Sequence, residues 1–138
     1  YPVTAVVYEQ IPGEEEGFYG ILYRKVTDLN GIVTQNEQAV VLYFYSSVNS
    51  GSLEVTAGVE DLAQCLQGRV IFVSIDAFSE AEISTAYEIE GYPEFVLINN
   101  GARISDFGSM NYASWHISDV GLWLSDNGFE PDYSMLDM

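Results

Sequence analysis

Basic residues are nearly absent from this chain: 4 Lys and Arg stand against 21 Asp and Glu, a formal net charge of -17 at pH 7. Such a surface repels phosphates instead of releasing counterions from them, so nucleic acid and anionic membrane are poor partners. Cysteine is almost absent too. The single Cys65 excludes an internal disulfide, a four-Cys zinc site and any two-thiol redox centre within the chain. One histidine, His116, argues against a catalytic zinc site, and no metal or cofactor is expected. No apolar run approaches the roughly 20 residues that cross a bilayer, so membrane insertion by a helix is not expected. What is present is ample apolar matter. Of 138 residues 48% are hydrophobic and only 18% charged, which excludes an intrinsically disordered chain and fits one core in one domain without disulfide stapling.

Residues 2–9 (PVTAVVYE) and 18–26 (FYGILYRKV) are rich in β-branched and aromatic side chains and flank a turn-like IPGEEEG, predicting two strands, the first an appendage. The continuous apolar runs 39–46 and 70–75 have the pattern of strands covered on both faces. Between them Val55, Val59, Leu62 and Leu66 form one stripe of a helix over 53–67 that stops at Gly68, so the flanking strands are expected to be parallel. A short helix is predicted over 80–89, with Ser79 and Glu82 at capping-box spacing and Ile83, Ala86 and Tyr87 on one face. Strands 94–98 and 102–107 flank Asn99-Asn100-Gly101, the signature of a tight antiparallel hairpin. Ala113, Ile117, Val120 and Leu124 mark a last helix over 112–126, with Asn111 as N-cap and Gly128 as stop, and the tail after Glu130 is expected to be loosely held.

The order strand, helix, strand, helix, hairpin, helix resembles the thioredoxin fold, and three local motifs carry the resemblance. FYSSVNSGS at 44–52 is similar to the family's strand running into its active-site loop, SID at 74–76 to the end of the next strand, and GYPEFVLINNG at 91–101 to its cis-proline loop, strand and turn. The resemblance covers roughly residues 20–127 and implies an α/β, thioredoxin-like three-layer sandwich, a central mixed β-sheet flanked by helices, with an extra N-terminal strand segment. The organisation expected is an N-terminal extension over 1–19, the thioredoxin-like domain over 20–129 and a C-terminal tail over 130–138. Where the family carries Cys-x-x-Cys, this chain has Asn49-Ser50-Gly51-Ser52, and the buried acid of the preceding strand is replaced by Tyr43. Thiol exchange needs an attacking thiolate and a resolving sulfur; a serine hydroxyl supplies neither.

Family members hold extended peptide along the backbone beside the cis-proline. Carried over position by position, the resemblance implies a peptide-binding edge of Val48, Asn49, Ser50, Tyr92, Pro93 and Gly108, with a cis Tyr92–Pro93 bond; the competing reading is a turn kept only for folding. Ser50 or Ser52 as a nucleophile would need His116 as a base from a distant helix, so N-capping is favoured. Cys65 beside the apolar stripe is expected to be a buried, inert thiol. Glu14–Glu16 and the acids at 80, 82, 88, 90 and 94 lack EF-hand spacing and are expected to be solvated surface. Trp115 and Trp123 are expected to pack.

The function expected is a redox-inactive, non-enzymatic domain for protein or peptide interaction through the cis-proline edge. The alternatives are low-affinity calcium binding by an acidic domain and an enzyme using Ser50 or Ser52. Oligomeric state is open. The chain begins at Tyr1 without a methionine, as after removal of a leader or at an arbitrary boundary, and an extracytoplasmic location is the expectation carried forward.

Overall fold

The computed structural model describes residues 3–35, 38–45, 52–89, 93–108 and 117–134. The elements are β1 (Val3–Gln10), β2 (Tyr19–Lys25), α1 (Leu29–Gln35), β3 (Ala39–Tyr45), α2 (Ser52–Cys65), β4 (Val70–Asp76), α3 (Ala81–Ala86), β5 (Glu94–Asn99), β6 (Ala102–Gly108) and α4 (Ile117–Asp126). They build one six-stranded sheet in the order β2-β1-β4-β3-β5-β6. As expected, β3 and β4 run parallel and β5 and β6 form an antiparallel hairpin; β5 also pairs antiparallel with β3. Asn100 and Gly101 both take positive φ, 54° and 79°, which is the conformation a two-residue hairpin turn requires.

Alternation along the strands sorts side chains into two layers. Val41 and Tyr43 of β3, Phe72 of β4, and Phe95 and Leu97 of β5 pack with Val59 and Leu62 of α2, with Leu66 just after it, and with Val120 and Leu124 of α4. Val40, Leu42 and Phe44, with Val73, Ile75, Val96 and Ile98, face the opposite way, toward Leu29, Ile32 and Val33 of α1 and Ile83 of α3. The result is the three-layer sandwich.

Several details depart from expectation. The first strand is no appendage: β1 lies inside the sheet, antiparallel to β2 on one side and to β4 on the other. Its apolar residues explain this, since Val6 joins one layer and Val3 the other. Helix α1 is absent from the sequence reading; Gly31 obscured a stripe of Leu29, Ile32 and Val33 that Asp28 caps by accepting from the Gly31 N–H at 2.9 Å. The Ser79–Glu82 capping box does not form: α3 begins after Glu80 without a side-chain cap, and Ser79 Oγ instead donates to Asp76 Oδ2 at 3.1 Å. Ala86 is exposed, and Ser84 takes the buried position on α3. The described part of the tail is also tied: Pro131 is buried and the Asp132 N–H donates to the Cys65 carbonyl at 3.0 Å. Helix α4 ends as expected at Gly128, with the Phe129 N–H reaching the Leu124 carbonyl at 2.8 Å and Gly128 the Ser125 carbonyl at 3.0 Å, a Schellman motif. Asn111 and the first part of the last predicted helix lie outside the described residues.

Candidate functional site

The strand ends put two of the sequence-expected residues, Pro93 and Gly108, at one end of the sheet. Tyr45 closes β3 and is level with Asp76, the last residue of β4. Phe44 is level with Glu94, the first residue of β5, and Glu94 with Gly108, the last of β6. The same register carried on by one residue sets Pro93 level with Tyr45. Asp76, Tyr45, Pro93, Glu94 and Gly108 therefore form one row across four strands, at the carboxyl ends of the parallel pair, where open α/β sheets place their crevices. Val48, Asn49, Ser50 and Tyr92 lie outside the described residues, and with them the Tyr92–Pro93 bond and His116.

Asp76 is the member that sequence reasoning missed. It is 7% exposed, and its carboxylate accepts from the Phe78 N–H at 3.1 Å and from Ser79 Oγ at 3.1 Å, so a buried acid is held by a turn of its own making. The available signal was the acid ending the apolar run VIFVSID. Burial, together with the Asp76 charge, pushes the Tyr45 hydroxyl above its ordinary value, so Tyr45 stays a neutral hydrogen-bonding group through physiological pH. The Ala77 N–H donates to the Tyr45 carbonyl at 2.8 Å, tying the two strand ends together.

Behind the row an aromatic ladder runs into the core. Tyr45 stacks on Tyr43 with centroids 5.4 Å apart, Tyr43 on Phe95 at 5.0 Å, Phe95 meets Phe107 at 6.2 Å, and Phe107 meets Trp123 at 5.9 Å. Trp123 Nε1 donates to Ser105 Oγ at 2.8 Å, which locks α4 to β6. On the other face Arg103 makes a two-pronged bond to Asp106 at 2.9 and 2.8 Å, donates to the Tyr87 carbonyl at 2.8 Å, and so joins α3 to the hairpin.

The one thiol is elsewhere. Cys65 is 1% exposed at the far end of α2, about 20 Å along the helix from Ser52 at its start. Burial raises its pKa, the charges of Asp61 and Asp132 raise it further, and Arg69 opposes them weakly. A cleft of about 540 Å³ beside it is lined by Arg69, Pro131, Asp132 and Tyr133 among others. Among the described residues no group of three or more His, Cys, Asp or Glu converges as a metal site would need, and no helix is long and apolar enough to cross a membrane. Glu94 faces Arg103, whose charge it helps to hold.

Comparison with known proteins agrees with this architecture. The family model described as Thioredoxin matches residues 21–115, more than half of the chain. Mitochondrial thioredoxin 3 from Saccharomyces cerevisiae superposes with a TM-score of 0.62 at 21% identity, covering 72% of this chain and 88% of that one. The germline-specific thioredoxin Deadhead from Drosophila melanogaster gives 0.58 at 20% identity, covering 66% and 82%. A designed protein gives 0.62 at 19% identity, covering 74% and 88%.

Proposed function

The chain belongs to the thioredoxin family, and from that premise we propose that it is a redox-inactive member that binds extended polypeptide along the edge at Pro93. The observation that carries the reading is the row itself: Glu94 opens β5 level with Gly108, and the half-buried Pro93 comes immediately before it, so an extended chain passing this end would meet backbone and a position without a side chain instead of bulky side chains. Tyr45, kept neutral, and the rings behind it supply a rigid apolar support. The chemistry of the family's thiols has no counterpart here, because the sole cysteine is buried at the other end of α2.

Two measurements test the reading together. With any dithiol donor the purified domain should leave insulin disulfides at the background rate; activity that persists after Cys65→Ser would overturn redox inactivity. On titration with an extended-peptide library, amide shifts should cluster at residues 48–52, 91–94 and 108. Tyr92→Ala should weaken the response about tenfold, the order of one lost aromatic contact. Shifts confined to α4 or β1 would move the interaction to another face and sink the proposal. A calcium titration followed by calorimetry should give little heat; strong saturable heat would favour a cation-binding function instead.

A further inference from the structure

The sheet has a second feature that the Pro93 row does not use. Strand β2 forms its outer edge, and among the described residues no strand lies beyond it. The Ile11 N–H donates to the Phe18 carbonyl at 2.9 Å and the Val26 N–H to the Val3 carbonyl at 3.0 Å. Even-numbered residues of this strand therefore turn their backbone toward β1, and the N–H and C=O groups of Tyr19, Ile21, Tyr23 and Lys25 point away from the sheet. Natural edges are usually guarded by a central charge, a proline or a bulge. The stretch Tyr19-Gly20-Ile21-Leu22-Tyr23 has no charge and no proline, and Phe18, Tyr19 and Tyr23 are 54%, 54% and 48% exposed.

Charge is distributed unevenly along this edge. Glu14, Glu15 and Glu16 crowd the turn before β2, while Arg24, which is ion-paired with Glu9 of β1, and Lys25, together half of the basic residues in the chain, close it. A strand acidic at one end and basic at the other is complementary to itself when reversed.

We propose that β2 pairs antiparallel with β2 of a second copy of this chain, about a two-fold axis near Ile21, joining two six-stranded sheets into one. In that register the outward-pointing residues meet one another: Ile21 lies opposite the partner's Ile21, and Tyr19 opposite the partner's Tyr23, on the face where Tyr8 already stacks on Tyr19 at 6.1 Å. The antiparallel sense brings the acidic turn of each copy toward the basic end of the other; a parallel pairing would stack the two glutamate runs. Such an interface is isologous and closed, so it ends at a dimer and does not grow into a fibre.

Sedimentation equilibrium of the purified chain at about 0.15 M NaCl, a concentration that screens the overall repulsion beyond about 8 Å, should show a monomer–dimer equilibrium. The amides of Ile21 and Tyr23 should become slower to exchange as concentration rises. Lys25→Glu should weaken the dimer about tenfold, since each symmetric substitution acts twice, and adding Glu16→Lys to it should recover most of the loss. Both positions are exposed, and an unchanged melting curve at low concentration separates this effect from misfolding. A chain that stays monomeric, a dimer indifferent to Lys25→Glu, or an Ile21 amide protected only when an unrelated polypeptide is added would overturn the proposal.

Discussion

Under α2 and α4 the sheet buries Tyr43, Phe72, Phe95 and Phe107, whereas under α1 and α3 Phe44 is, among the described residues, the one ring among buried aliphatic side chains. The covering helices differ in the same sense: α2 and α4 have 14 and 10 residues, α1 and α3 have 7 and 6. Helices of two turns are unstable alone and depend on caps and on the surface they lie against. Long helices can span a layer of large rings; short ones are held by close aliphatic contact and by local hydrogen bonds. The difference bears on function, because the ladder that reaches Tyr45 belongs wholly to the aromatic face.

The largest effect should come from breaking that ladder. Phe95 and Phe44 are both fully buried and sit in neighbouring strands on opposite faces. Among the described residues Phe95 contacts two buried rings, Tyr43 and Phe107, and Phe44 one half-buried ring, Tyr87, at 5.7 Å. Truncating a buried phenylalanine to alanine costs about 3–5 kcal/mol. Phe95→Ala should fall at the upper end and Phe44→Ala at the lower, read from urea unfolding midpoints at constant slope. Equal losses would show that ring packing adds nothing to burial here.

A proton titration sharpens the same contrast. Burial raises the pKa of Tyr45 and of Tyr87; the Asp76 charge adds to the shift at Tyr45, while Arg103 opposes it at Tyr87. A group whose folded pKa lies above its unfolded value contributes stability that is complete below the unfolded pKa and is lost as pH rises through the folded one. The ordinary tyrosine value is 10.0, so the loss begins near there, preceded by one from Cys65, whose ordinary value is 9.0. Unfolding midpoints should therefore decline above about pH 9. Tyr45→Phe should flatten the decline more than Tyr87→Phe; the reverse order would mean that Asp76 does not act on Tyr45.

The layers and most elements were legible in the sequence because continuous apolar runs and helical stripes leave a strong imprint. The strand at 39–46, the stripe Val59–Leu62–Leu66 and the Asn100-Gly101 turn are places where local preference and tertiary demand agree. Placement of β1 was not legible, because alternation says which residues are buried and not which neighbour a strand pairs with. The capping box failed for a different reason: the Ser79 hydroxyl had a competing acceptor in Asp76, three residues earlier in the turn that leaves β4. Of the expected edge, Pro93 and Gly108 emerged in one row, since both are fixed by a hairpin whose register is local. Asp76 was overlooked because an acid ending an apolar run reads equally well as a solvated strand end.

The smallest effect concerns α1, on the thin face, and tests whether its cap is what makes so short a helix possible. Asp28 Oδ1 accepts from the Gly31 N–H, and a Cβ built at Gly31 would lie 2.5 Å from Asp28 Oδ2. Glycine is thus tied to the cap, although it weakens a helix by about 1 kcal/mol relative to alanine. Asp28→Ala should cost about 1 kcal/mol, the usual value of an N-cap, while Asp28→Asn keeps the acceptor and should cost only a few tenths. Gly31→Ala in the native background displaces the carboxylate, so its gain in helix propensity is offset. In the Asp28→Ala background the carboxylate is gone, and Gly31→Ala should then stabilise by up to about 1 kcal/mol. The two substitutions should therefore fail to add in a double-mutant cycle followed by urea unfolding. If Gly31→Ala stabilises both backgrounds equally, the carboxylate does not sit over the helix start, and α1 is held by Leu29, Ile32 and Val33 alone.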